Sequence, residues 1–417
     1  MSFQGRQNTI IPTSAISDIP NSLLSKRMMK SMNTRNQVIQ LSASNGNVQG
    51  PSGVISFNIG CGAGQGYMKA GSAYLRFEIT PTGTGNINFN GVVGNQSCAS
   101  LIRTLNINVG GLQIETINDY DKYYRMVQSH ATNNGYVEHD AQITESSSSA
   151  STAGMATGVE VTYSVPILSG LLNQDNHIPL FLLNSQLQIQ LNLNSVTEAL
   201  YDTAGAPTNF VINDPVLVYE KIHCDAEFEN AVKMKLSEGG VYEIPYYSAL
   251  SYRSAASAGP NATFNQNIGV NLSSLSAVLW AHVLNPTSGT DPKLFVYNNS
   301  NTKASSRRVV RCDGEQILQT QLYSDSQCFM ELERALGSIL DTNQTTISNK
   351  DNFRTSYWVN GQSTERFSDA DLCMKGRACN NLVVEEQGVT AASTVYMYLV
   401  YNAVLMISPD GSALVSK

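Results

Sequence analysis

From residue 53 onward the chain is dominated by period-two alternation of apolar and polar positions, the mark of half-buried β-strands. Val54-Ile55-Ser56-Phe57-Asn58-Ile59 sets Ile55, Phe57 and Ile59 on one face. Ala73, Leu75, Phe77 and Ile79 share a face in the next run, as do Leu105, Ile107 and Val109 in the run after it. Gly110-Gly111 then leads into Leu112–Ile117, and a Gly-Gly between two alternating runs predicts a hairpin. Leu187–Leu193 alternates without a fault, and Val216–Ile222 and Val395–Ile407 read as further strands. Helical spacing is confined to Asp119–Ser129 and Asp325–Leu340. The stretch 144–158, TESSSSASTAGMATG, is too polar to pack and predicts an exposed loop tip.

The same succession of elements occurs twice. Arg103 begins RTLNINVGGLQIETINDYDKYYRMV, and Arg307 begins RRVVRCDGEQILQTQLYSDSQCFMEL. Each reads strand, Gly-containing turn (Gly110-Gly111; Asp313-Gly314), strand, acidic helix start, helix. Leu217-Val218-Tyr219 and Leu399-Val400-Tyr401 then lie in strands late in each half. Two matches in one order predict a duplicated β domain with its boundary near residues 224–240.

Residues 1–50 lack this alternation and read as an arm. Pro20-Asn21-Ser22 opens a short helix in which Leu24, Met28 and Met32 form a stripe. Docking on a partner or an anionic membrane, and packing on the chain's own domain, both suit that stripe. Charge sharpens the contrast with the rest of the chain. Up to residue 70 the only acid is Asp18, against Arg6, Lys26, Arg27, Lys30, Arg35 and Lys69. That segment is +5 and the remainder −12.

Composition narrows the function. Charged residues are 14 % of the 417, against about 25 % in an ordinary soluble domain, with 42 % hydrophobic. Amide and hydroxyl side chains fill the gap, which suits strands, turns and subunit contacts. A net charge of −7 argues against a dedicated nucleic-acid binder. The opening MSFQGRQNTIIPTS carries no apolar core behind a basic head, so a chain made and folded inside a cell is expected, not one secreted through a signal peptide. Seven dispersed cysteines read as free, mostly buried thiols.

Catalytic patterns fail on spacing. Gly60–Gly66 follows a strand but lacks the G-x-G-x-x-G spacing and any following helix, so it reads as a flexible turn. No nucleophile elbow or P-loop appears. His130 and His139 lack the tight pairing of a zinc site, and Cys373 and Cys379 read as two free thiols. Glu331, Glu333 and Arg334 read as a solvated helix face. No catalytic, cofactor-binding or metal-binding residue is assigned.

Residues 165–194, VPILSGLLNQDNHIPLFLLNSQLQIQLNLN, resemble a signature stretch of the double jelly-roll major capsid proteins of tailless icosahedral DNA viruses. Pro166-Ile167, Ile178-Pro179-Leu180, Leu182-Leu183 and the strand Leu187–Leu193 carry the likeness, followed by a strand opening at Asp214-Pro215. The resemblance implies an all-β fold of two tandem eight-stranded antiparallel jelly rolls with short helices in loops and an extended N-terminal arm. The divisions are then 1–50 (arm), 51–225 (first jelly roll) and 226–417 (second). It implies a non-enzymatic structural subunit of the virion, without cofactors, forming pseudo-hexagonal trimeric capsomers. Its partners would be two further copies, neighbouring capsid trimers, and minor capsid and penton proteins. On this resemblance the basic residues Arg6, Lys26, Arg27, Lys30 and Arg35 would form an assembly arm facing neighbours, an internal membrane or the genome. A tandem jelly-roll carbohydrate-active enzyme and a carbohydrate-binding lectin or fibre remain open beside it.

Overall fold

The computed structural model describes residues 34–92, 95–131, 141–147, 154–174, 176–202, 204–238, 240–257, 259, 262–284, 290–295, 307–337, 350–365, 375–389 and 391–417. Among the described residues eight principal strands build the first half, with shorter ones beside them: β1 (Arg35–Ser42), β2 (Val54–Ile59), β3 (Tyr74–Thr82), β4 (Ile102–Val109), β5 (Leu112–Asn118), β6 (Val161–Pro166), β7 (Leu187–Leu193) and β8 (Asn209–His223). They pair antiparallel in two sheets, β1-β8-β3-β6 and β2-β7-β4-β5. Alternation dictates which face turns inward. In β7, Leu187, Ile189, Leu191 and Leu193 are buried and the three residues between them are half-exposed. Each such buried aliphatic side chain contributes roughly 1.5–3 kcal/mol.

Seven strands build the second half: β9 (Tyr242–Ala256), β10 (Thr263–Leu284), β11 (Arg307–Cys312), β12 (Glu315–Gln316), β13 (Asn360–Ser363), β14 (Arg377–Gln387) and β15 (Ser393–Ile407). A final short strand, β16 (Ala413–Ser416), adds to β15. Strand β10 serves two sheets. Its first part, Thr263–Gly269, pairs with β14, and its second, Leu275–Leu284, pairs with β15 and β13. Register shifts between Gly269 and Ala277 bend it from one sheet into the other. Counting β10 twice, the order is β9-β15-β10-β13 and β10-β14-β11-β12. Both halves therefore wire their eight positions in chain order as 1-8-3-6 and 2-7-4-5. This is a double jelly roll.

Three longer helices accompany the strands: α1 (Tyr120–Ala131), α2 (Ala226–Ser237) and α3 (Asp325–Ala335). α1 and α3 each follow the hairpin between strand positions four and five, as the sequence repeat predicts. α3 stops short of the expected Leu340: Leu336 caps it and Gly337 takes φ +76°, a left-handed stop. No helix among the described residues is long and apolar enough to cross a membrane.

Several expectations need correction. Arg35–Ser42 is strand, not arm: β1 pairs with Val216–His223 along its whole length. Most of its side chains are exposed, so the sequence shows no alternation there. Asp214-Pro215 does not open a strand. It is a bulge inside β8, where Asp214 takes φ +43° and Pro215 has no N–H to pair. The serine tract is anchored at both ends, since Glu145, Ser146, Ser147 and Met155 are buried and Met155 bridges to Ile87; residues 148–153 lie outside the described residues. The segment expected as a boundary is helix α2.

Candidate functional site

Among the described residues, the feature that joins the parts of the molecule is the seam between the two barrels. Edge strand β5 of the first lies against β9 and β16 of the second. Tyr246 on β9 donates its hydroxyl to the Ile114 carbonyl at 2.9 Å, and Tyr398 on β15 donates to the Asp119 carbonyl at 2.6 Å. Asn184 takes the Gly411 carbonyl at 3.2 Å through its backbone N–H. A short turn of helix, Gly170–Asn173, presses on β9 so closely that a Cβ on Gly170 would sit 1.3 Å from the Tyr247 carbonyl oxygen.

Glu115 fixes that turn. A bulge between Gln113 and Glu115 leaves Ile114 and Glu115 both buried. The Glu115 carboxylate accepts from the Ser169 hydroxyl, from Gly170 N at 3.0 Å and from Leu171 N at 3.3 Å. Burial pushes its carboxyl above the usual range, and these hydrogen bonds oppose the rise.

Helix α1 carries the second part of the seam. Met126 joins an apolar cluster with Leu279, Val283, Cys328, Leu332, Phe353, Trp358 and Tyr398, all from the second barrel. His130 reaches the Tyr357 carbonyl at 3.2 Å and stacks edge-on to Phe353. Lys122 lies 2.5 Å from Asp121 and 3.9 Å from Glu198, which also pairs with Lys293 of the second half. Burial disfavours the Lys122 charge, but Asp121 and Glu198 outweigh it and hold the ammonium above its ordinary range. The two barrels thus share apolar core, hydrogen bonds and charge pairs.

One buried constellation has the residue types of a hydrolase. Ser393 Oγ lies 3.0 Å from His282 Nδ1, and His282 Nε2 lies 3.0 Å from Glu386. The geometry serves a clamp instead. Glu386 also accepts from Arg308 Nε at 2.9 Å and Trp280 Nε1 at 3.1 Å, while the Arg308 guanidinium stacks on Trp358 at 4.9 Å. Burial alone would raise the Glu386 carboxyl; Arg308 and His282 together hold it well below the usual range. Ser393, His282, Arg308 and Glu386 are each 3 % exposed or less, so the whole clamp is buried.

Residues singled out from the sequence separate in the structure. Gly60–Gly66 is not a free turn: Glu229 of α2 accepts from Gly64 N at 2.8 Å and Gly66 N at 3.1 Å. Glu331 pairs with Arg334 at 2.9 Å on a solvated face, but Glu333 is buried. Among the described residues Cys61, Cys98, Cys224, Cys312, Cys328 and Cys379 form no disulfide; Cys373 and His139 lie outside the described residues. Of the five assembly-arm residues, Arg6, Lys26, Arg27 and Lys30 lie outside the described residues. Arg35 is exposed at the start of β1, paired in register with His223. The seam residues Tyr246 and Glu115 were not legible beforehand. Glu386 left a trace: it shares the inward parity of Leu382 and Val384, and an inward charge requires a buried partner.

No family model and no curated protein sequence matches the chain. Solved structures do. VP54 of the virus PBCV-1, fitted into a reconstruction of the virophage Sputnik, superposes with a TM-score of 0.66 at 12 % identity, covering 94 % of this chain and 99 % of that one. The Faustovirus major capsid protein gives 0.57 at 8 % identity over 95 % and 94 %. The mavirus major capsid protein gives 0.51 at 12 % over 96 % and 94 %. The fold is the double jelly roll of viral major capsid proteins. Near-complete coverage on both sides means that both barrels, in the same order, belong to the match. The double jelly roll is thus established by strand order within the chain and by superposition outside it.

Proposed function

We propose that the chain is a major capsid protein, the structural subunit of trimeric, pseudo-hexagonal capsomers in an icosahedral virion. The observation that carries this reading is the repetition of one strand order, 1-8-3-6 and 2-7-4-5, in two barrels joined by a shared core. Two similar barrels per chain let three chains present six similar faces, which fits a position with six neighbours. The ring closes through heterologous contacts, second barrel of one copy against first barrel of the next. A permanent interface of this kind buries more than ~2,000 Å².

Neighbouring trimers, minor capsid proteins and penton proteins are the further partners. The arm supplies attraction to acidic bodies of neighbours, to an internal anionic membrane or to genome. Basic residues where the arm joins β1 support that role: Arg35 stands opposite His223 and Gln37 opposite Lys221. An enzymatic role has no support in the Ser393–His282–Glu386 string, whose carboxylate is committed to Arg308 and Trp280.

Size-exclusion chromatography with light scattering tests the reading. A stable species of three times the 45.2 kDa chain mass is expected. A monomer that cleaves or retains glycans would replace it with one of the carbohydrate readings.

A further inference from the structure

Strand β14 breaks step between Leu382 and Cys379. Both are buried although an odd number of positions separates them, because Asn380 and Asn381 both turn outward. Asp313 holds this step. It sits in the β11–β12 turn at φ +51°, and its Oδ1 accepts from Asn380 N at 3.0 Å and Asn381 N at 2.8 Å. Its own N–H donates to the Asn381 carbonyl at 2.8 Å.

The consequence is a cluster of donors. Cys379 comes beside Cys312, the last residue of β11, and the two sulfurs and an Asp313 carboxylate oxygen all lie within 4.8 Å of one another. Cys312 Sγ is 4.0 Å from Asp313 Oδ2, the oxygen not used by the two asparagine N–H groups. Both cysteines are buried and Asp313 is exposed, so water reaches the cluster from one side. Two sulfurs bound at ~2.3 Å to one tetrahedral ion stand a little under ~4 Å apart, and a carboxylate oxygen at ~2.1 Å fits beside them. The observed separations need only a small inward adjustment to reach that geometry.

We infer that Cys312, Cys379 and Asp313 form a binding site for a thiophilic divalent cation of the Zn²⁺ type, with water completing the coordination. Bound there, the ion would tie the β11–β12 hairpin to β14 and stiffen one end of the second barrel. The site is independent of the capsid reading and would stand in a protein of any function with this fold.

Titration of the full-length, reduced protein with Co²⁺, followed by displacement with Zn²⁺, tests it. One Co²⁺ per chain with a thiolate charge-transfer band is expected, abolished in Cys312→Ser and Cys379→Ser and kept in Cys224→Ser. Asp313→Asn keeps the hydrogen-bond acceptor for Asn380 and Asn381 and tolerates the left-handed backbone. It should weaken binding about tenfold or more, a loss typical of disturbed metal surroundings. Zn²⁺ should raise the melting temperature of the wild type more than that of Asp313→Asn at the same concentration, which decides the matter if the serine variants fold poorly. Absence of the charge-transfer band, or its survival in Cys379→Ser, would overturn the site. So would a wild-type melting temperature indifferent to Zn²⁺.

Discussion

Leu217 and Leu399 occupy the same point in two different barrels. Leu217 lies on β8 between Leu41 of β1 and Leu75 of β3, and Leu399 lies on β15 between Leu250 of β9 and Val278 of β10. In each case the central leucine is fully buried and the first-strand leucine only half so. The Leu-Val-Tyr triplet is therefore a trace of one strand environment used twice, in the eighth position of each jelly roll.

Close approach at the seam separates two glycines. Gly170→Ala puts a methyl group 1.3 Å from the Tyr247 carbonyl, where only backbone can move, so loss of soluble protein or a fall in melting temperature of many degrees is expected. At Gly111 the added Cβ meets open space, and the cost is confined to the left-handed backbone at φ +84°, about 1–2 kcal/mol. Thermal melts of the two variants compare these directly; equal effects would contradict the seam geometry.

Tyr246→Phe removes the hydroxyl that reaches across the seam and leaves the Ile114 carbonyl without it. The expected loss is about 1–3 kcal/mol, since the acceptor stays buried. Chemical denaturation should show a lower midpoint with an unchanged slope. An increased number of transitions would mean that the barrels unfold separately.

Glu386 links stability to acid. Its folded pKa is depressed, so its contribution is complete above the unfolded value of about 4.3 and is lost as pH falls through the folded value. Glu386→Gln removes the charged carboxylate that accepts from the buried Arg308 Nε and should cost about 3–5 kcal/mol at neutral pH. Between pH 6 and 3 the variant should lose less stability than the wild type. Parallel pH profiles would show that the ion pair contributes nothing.

His130 works in the same direction for a different reason. Burial holds its pKa down to about 3, against an unfolded value of about 6.5, so the unfolded chain binds the extra proton between these limits. Stability should fall with acid across that window, and His130→Gln should flatten the fall. Melting temperatures from pH 7 to 4 measure it; an NMR-titrated His130 pKa near 6.5 would contradict the burial argument.

The one-faced strands β2 and β7 were legible because alternation is strict there; β4 and β5 were legible through the Gly110-Gly111 turn that joins them, although the bulge at Glu115 breaks the period of β5. β14 escaped because its step at Asn380 and Asn381 and its inward Glu386 break the period. The second part of β10 escaped for another reason. Ser274 to Val283 is buried on both faces, so inner and outer residues do not differ in polarity. α2 hid its purpose in Glu229, a carboxylate that looks like surface charge until the loop it holds is seen. The seam was illegible altogether, since Tyr246 and Ile114 lie in different barrels, far apart in the sequence, and no local pattern pairs them.

Imaging of the purified full-length protein down its symmetry axis, by negative stain or cryo-electron microscopy, tests the central claim most directly. The account predicts particles with three-fold symmetry and six barrel-sized lobes, two contributed by each chain. Single two-lobed monomers, or two-fold dimers with the same patch on both sides, would contradict it.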